Sequence, residues 1–202
     1  MSDFLEGGAF SAVEEYLDDP LAIELPRISL TSPSAKSLAD IISGSRLVPH
    51  ALWRRIRQAR DTLMAEGDFE YFPLKLEFSL RVRAYMKDGG GIYFSLGALI
   101  FRSSAVTLAV LCHELAHLWL SRQDFYPKLK EMQRAFKARL AGVAEREILS
   151  PIELYAMRAS LDILTPVADS LGEGRAKRKL LSLIEAEREK ILTIADKLKK
   201  YK

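Results

Sequence analysis

One long apolar run constrains the fold of this chain more than any other feature. Residues 106–120 read V-T-L-A-V-L-C-H-E-L-A-H-L-W-L and contain neither Gly nor Pro. A run of this length and composition predicts a buried helix rather than a strand. Two histidines and a glutamate interrupt it, at His113, Glu114 and His117. Burying these groups without partners would cost several kcal/mol, so their presence indicates a site.

The two histidines have the spacing of metal ligands. Residues i and i+4 lie on the same face of a helix, so His113 and His117 direct two imidazoles at a common point. Neutral imidazole is a favoured ligand of Zn²⁺, and catalytic zinc sites combine three protein ligands with a water. Glu114 lies about 100° around the helix, where its carboxylate can take a proton from such a water. The pattern therefore predicts a hydrolase, most simply a peptidase.

At these residues the chain resembles the zincin metallopeptidases, whose active-site helix carries H-E-x-x-H. The metzincin continuation is absent, because Leu120 and Gln123 stand where its Gly and its third His would be. No histidine follows His117. The resemblance therefore implies that a Glu or Asp completes the site.

Glu153 is the best candidate for the third ligand. With Ala156 and Pro166 it matches the E-x-x-A…P spacing of gluzincins of the ImmA/IrrE type, and this resemblance covers roughly residues 74–166. Glu145 and Glu147 remain rival candidates.

The residues around Glu153 allow other roles as well. Residues 150–153, S-P-I-E, form a capping box in which Ser150 caps a helix and Glu153 bonds back to it. Tyr155 and Arg158 are candidate donors to the oxyanion that forms during attack on a carbonyl. In the family that the chain resembles, a polar residue follows the Ala, whereas this chain has Met157 there. The role of that polar residue therefore has no equivalent in this chain.

Strict alternation of apolar and polar side chains marks one segment as a strand. Residues 74–86 alternate without a break, which predicts a single strand. Gly89, Gly90 and Gly91 then form a turn, and residues 92–96 are apolar enough to return as a partner strand. The resemblance implies an edge strand that pairs with extended substrate, for which residues 92–95 or 98–101 are the candidates.

We therefore predict an α+β fold, a zincin-like minimal metallopeptidase domain that is rich in helices and has a small antiparallel or mixed sheet. Residues 1–48 form an N-terminal covering segment, and residues 49–171 form the zincin-like catalytic domain. Residues 172–202 form a C-terminal basic helix packed on that domain, with an apolar seam that Glu187 interrupts.

Composition and net charge limit the kinds of partner that we expect for this chain. The formal charge of +3 over 202 residues is too small to imply an acidic partner, and the basic terminal helix lacks the aromatic interleaving that stacks on bases. The single cysteine excludes an internal disulfide and fits a reducing compartment. With no signal-like N-terminus and no stretch of 18 apolar residues, we expect a soluble cytoplasmic protein without a membrane or nucleic-acid partner.

Two functions are compatible with these patterns. The first is a zinc metallopeptidase that hydrolyses an intracellular protein or peptide, with Glu114 as general base. The alternative is a non-catalytic regulatory or interaction protein whose metal site is structural or vestigial.

Overall fold

The computed structural model describes residues 26–43, 48–87, 90–139 and 150–199. These residues form seven helices and one small mixed sheet, so the predicted helix-rich α+β class is confirmed. The helices are α1 Ser32–Ala39, α2 Pro49–Ala65, α3 Leu96–Phe101, α4 Ser104–Ser121, α5 Tyr126–Arg139, α6 Pro151–Asp169 and α7 Arg175–Lys199, and the strands are β1 Leu74–Glu77, β2 Ala84–Lys87 and β3 Gly91–Ser95.

The sheet has the strand order β1-β3-β2, with β1 parallel and β2 antiparallel to β3. The prediction of a single strand over residues 74–86 was wrong, because residues 78–83 leave the sheet between β1 and β2. Their backbone groups bond instead to the end of β3 and the start of α3. The Gly97 N–H, for example, donates to the Ser79 carbonyl at 2.9 Å. The alternation of apolar and polar residues in the sequence therefore continues through residues 78–83, although the apolar side chains of this segment face solvent.

The prediction that residues 92–95 or 98–101 form an edge strand was wrong. Residues 92–95 belong to β3, which is the central strand, and residues 98–101 belong to α3. The strand ends at Ser95 because its side chain caps α3, accepting the Ala98 N–H at 3.1 Å. The sheet edge that packs against α4 is β2.

The apolar run forms α4, as the sequence predicts. The Ser103 hydroxyl caps it by accepting the Val106 N–H at 3.4 Å. Its length and hydropathy are those of a helix that can cross a membrane, yet ten of its residues are buried in the core. Helix α4 packs against α6, α7, α3 and the sheet, so it occupies the centre of the fold.

Helices α6 and α7 complete the surroundings of α4. Ser150 caps α6 by accepting the Glu153 N–H at 3.4 Å, and Pro151 occupies the first turn. The face of α7 that packs on α6 and α4 is apolar, with Leu180, Ile184 and Ile191 buried. Most of the predicted covering segment, residues 1–25 and 44–47, lies outside the described residues.

Candidate metal centre

His113 and His117 lie one turn apart on α4 and converge through the same ring nitrogen. Their Nε2 atoms are 3.1 Å apart. Their ring centroids are 4.7 Å apart, and the ring planes are nearly perpendicular at 87°. Both rings therefore present a lone-pair position to one point on the helix surface.

Glu153 reaches the same point from the first turn of α6. Its Oε2 lies 3.3 Å from His113 Nε2, and its Oε1 lies 3.4 Å from His117 Nε2. Ala116 and Ala156, on the two helices, are fully buried. Small side chains at a helix contact shorten the distance between axes, which lets a carboxylate on one helix reach imidazoles on the other.

The charges of the three groups are coupled. Hydrogen bonding to His113 and then His117 holds the pKa of Glu153 far below its ordinary range, against the opposing effect of burial. Burial alone would lower the pKa of His113, but the carboxylates of Glu153, Glu114 and Glu187 outweigh it and raise that pKa. The site is therefore built to hold positive charge at the imidazole nitrogens.

Glu114 lies beside the histidines in a more enclosed position. It is only 8% exposed, and burial is the main reason why its pKa is raised above the ordinary value for a glutamate. His117, His113 and the Met86 backbone N–H stabilise the carboxylate form and limit this rise. A carboxylate with a raised pKa is a stronger base than an ordinary glutamate, which suits a group that accepts and returns a proton.

A cleft of about 410 Å³ opens at His113 and Glu114. Its walls come from β2, α4, α6 and α7 and are mostly aliphatic, with Val106, Val110, Leu164 and Leu183 among them. Its charged residues besides Glu114 are Arg102, Glu187 and Lys190.

Sequence reasoning missed the three charged residues of the cleft walls. It treated Glu187 as an interruption of an apolar seam, whereas the structure turns this carboxylate into the cleft beside His113. The interruption itself was the available signal, because a charge within a buried helix face needs a partner or a site. The sequence around Arg102 has no comparable feature that would have indicated its place in the cleft.

The structure does not bring the two predicted oxyanion donors to the cleft. Tyr155 is fully buried. Burial raises the pKa of the Asp162 carboxyl, and Arg158 lies close enough to that carboxyl to offset part of the rise. Neither residue lines the cleft. Met157 is buried among apolar residues. The rival ligands Glu145 and Glu147 lie outside the described residues.

Comparison with known proteins gives no match: no family model, no curated protein and no solved structure matches the chain. The geometry of the site alone therefore indicates what the protein can do. Across residues 26–43, 48–87, 90–139 and 150–199, one group of His, Cys, Asp or Glu side chains has ligand atoms close enough to hold a metal ion, with all of them within 4.8 Å of one another. That group is His113, His117 and Glu153.

Proposed function

We propose that this chain is a zinc-dependent metallopeptidase of the zincin type, acting on a protein or peptide in the cytoplasm. The convergence of Glu153 with His113 and His117, beside the enclosed carboxylate of Glu114, carries the proposal. Two imidazoles and a carboxylate are the ligand set of several zinc peptidases, and they leave one position open for water. The single cysteine, Cys112, is a buried free thiol, which fits a reducing compartment.

The distances among the ligand atoms are compatible with a tetrahedral zinc ion. Bonds of about 2.0–2.1 Å at tetrahedral angles place two ligand atoms about 3.3 Å apart, whereas the same bonds at 90° would place them about 2.9 Å apart. The distances between the histidine nitrogens and from each nitrogen to Glu153 are 3.1, 3.3 and 3.4 Å. The two distances to Glu153, which end on different carboxylate oxygens, match the tetrahedral value, and the distance between the histidine nitrogens lies midway between the two values.

Each residue of the site would have its own role in hydrolysis. His113, His117 and Glu153 would hold the ion. When bound, zinc supplies a Lewis acid that polarises a carbonyl and lowers the pKa of a water to about 7. Glu114 takes the proton of the attacking water and can pass it to the departing amine. The Met86 N–H, which donates to Glu114, orients the carboxylate for both steps.

The edge of β2 supports a polypeptide substrate. The Ser95 N–H donates to the Arg83 carbonyl at 3.0 Å, so the backbone groups of residues 83, 85 and 87 pair with β3. Those of Ala84 and Met86 then face away from the sheet, toward Glu114 and the cleft. Because the Met86 N–H already donates to Glu114, an extended peptide can add to this edge through the Ala84 N–H and the carbonyls of Ala84 and Met86.

A peptide-pool assay tests the proposal. Zinc-loaded protein is incubated with a proteome-derived peptide pool, and new termini are identified by mass spectrometry. We expect cleavages that disappear with a chelator and in Glu114→Gln but persist in Glu131→Gln, which changes an exposed glutamate of α5. A zinc-loaded protein that yields no new termini would contradict a peptidase function.

A further inference from the structure

A run of large apolar side chains is exposed next to the cleft. Phe78 is 90% exposed, Leu80 68% and Val82 43%, all in the segment that joins β1 to β2. Phe101, at the end of α3, is 64% exposed. We call Phe78, Leu80, Val82 and Phe101 the apolar strip. Single exposed apolar residues are common, but a cluster of this size indicates an interaction site.

The backbone beneath the strip is held rigidly although its side chains point outward. The Ser95 hydroxyl bonds to the Arg81 carbonyl and, at 2.9 Å, to the Arg83 carbonyl. The Gly97 N–H donates to the Ser79 carbonyl at 2.9 Å. A Cβ on Gly97 would stand 2.3 Å from the Leu80 carbonyl oxygen, so the segment lies directly on the start of α3. A surface fixed in this way binds with little loss of conformational entropy.

The charges around the strip are mainly positive. Arg81 is exposed within it, and Arg102 Nη2 lies 3.5 Å from the Val82 carbonyl oxygen. The nearby carboxylate, Glu77, is already engaged by Arg83 at 3.0 Å and by the Tyr85 hydroxyl at 2.5 Å. Arg81 and Arg102 are therefore available to a partner that carries negative charge.

The strip is continuous with the cleft. Its segment runs directly into β2, whose first residue, Ala84, lines the cleft. Arg102 belongs to both surfaces, because it lines the cleft and also contacts the Val82 carbonyl. A polypeptide laid along β2 would therefore pass from the metal centre onto the strip.

We propose that the apolar strip is a docking site for an extended segment of the substrate polypeptide that carries apolar and acidic residues beyond the scissile bond. This inference rests on the proposed peptidase function and specifies its substrate class. The strip binds the apolar side chains, and Arg81 and Arg102 bind the carboxylates. The enzyme therefore selects long acidic and apolar segments over short peptides that fill the cleft alone.

A binding assay tests the inference separately from catalysis. The probe is a fluorescein-labelled peptide of alternating Leu and Asp, and its anisotropy is measured with zinc-loaded Glu114→Gln protein. We expect saturable binding, weakened at least about fivefold by Phe78→Ser, Leu80→Ser or Arg81→Glu. Leu181→Ser is the matched control, because Leu181 is an exposed leucine of α7, and it should leave the affinity unchanged. A Leu and Lys version of the peptide should not bind.

Three outcomes would overturn the docking site. The first is that the Leu and Asp peptide does not bind. The second is that it binds and the strip variants leave its affinity unchanged. The third is that the protein binds anionic phosphatidylglycerol vesicles but not the peptide. The last outcome would make the strip a membrane contact. Loss of the peptidase function has a different signature, since the wild type would then cleave nothing while peptide binding still responded to the strip variants.

Discussion

Glu153 Oε2 lies 3.3 Å from His113 Nε2 across the contact between α6 and α4. Each partner changes the other's pKa: that of Glu153 is lowered by its bonds to the histidines, and that of His113 is raised by the carboxylates despite burial. In metal-free protein the two groups thus form an ion pair wherever the pH lies below the raised pKa of His113. A bound zinc ion would replace the proton on the His113 Nε2.

This pair predicts how the stability of metal-free protein depends on pH. The lowered pKa of Glu153 gives stability that is present above its ordinary value of 4.5 and lost on acidification. The raised pKa of His113 gives stability that is present below its ordinary value of 6.5 and lost as pH rises through the folded-state value. The raised pKa of Glu114 adds to the loss at higher pH.

We therefore expect the Tm of chelator-treated protein to be highest between about pH 4.5 and pH 6.5 and to fall by a few degrees on either side. Thermal denaturation across this range measures it. In Glu153→Gln the maximum should flatten, because the ion pair is gone. A wild-type Tm that rises steadily through pH 7 would contradict the ion pair.

Glu114→Gln separates proton transfer from metal binding. The amide keeps the size of the side chain but cannot accept a proton, so we expect kcat to fall by about 10²–10⁴ while zinc content stays unchanged. Peptide hydrolysis and metal analysis of the same preparation measure both. Glu131→Gln, on the exposed side of α5, should alter neither quantity. Near-normal kcat in Glu114→Gln would exclude Glu114 as the general base.

Helical periodicity was enough to predict α4 and the shared face of His113 and His117, because those relations depend only on residues four apart. Glu153 needed a motif, since its approach depends on how α6 packs on α4. The break in the strand after Glu77 could not be predicted. It depends on bonds from Ser95 and Gly97 to residues 79–83, and local alternation carries no information about such long-range pairing.

The cleft wall from α7 was missed for the same reason. The spacing along α7 identifies its buried face, but not which residues meet the metal centre on another helix. Glu187 acquires its place beside His113 only when α7 packs against α6 and α4. The sequence thus predicted that His113, His117 and Glu153 lie together, while tertiary packing determined the cleft beside them.

Gly97→Ala should destabilise the protein through the segment that carries the apolar strip. The new Cβ would meet the backbone of Leu80 and Arg81 at 2.3 to 2.9 Å, and backbone cannot move aside as a flexible side chain can. We expect a loss of about 1–3 kcal/mol in the free energy of unfolding, measured by urea denaturation. Gly172→Ala is the control, because nothing lies within 4 Å of the Cβ that it adds. Equal stabilities for the two variants would contradict the close packing at Gly97.

Ser95→Ala tests the hydrogen bonds that end β3. The buried Ser95 hydroxyl bonds to the carbonyls of Arg81 and Arg83 and accepts the Ala98 N–H. Losing it removes the acceptor of the buried Ala98 N–H and the hydroxyl that bonds to the Arg81 carbonyl, so we expect a cost of about 1–3 kcal/mol in urea denaturation. Ser170→Ala removes an exposed hydroxyl at the end of α6 and should cost less than about 0.5 kcal/mol. A smaller loss for Ser95→Ala than for Ser170→Ala would contradict this role.

Metal analysis by mass spectrometry tests whether His113, His117 and Glu153 together hold one zinc ion. Four proteins purified without added metal are compared: wild type, His117→Ala, Glu153→Ala and the control His50→Ala, which removes an exposed histidine of α2. We predict one zinc per chain in the wild type and in His50→Ala, none in His117→Ala, and a reduced content in Glu153→Ala. A metal-free wild type that takes up no added zinc would contradict a zinc site at these residues and favour a non-catalytic interaction protein.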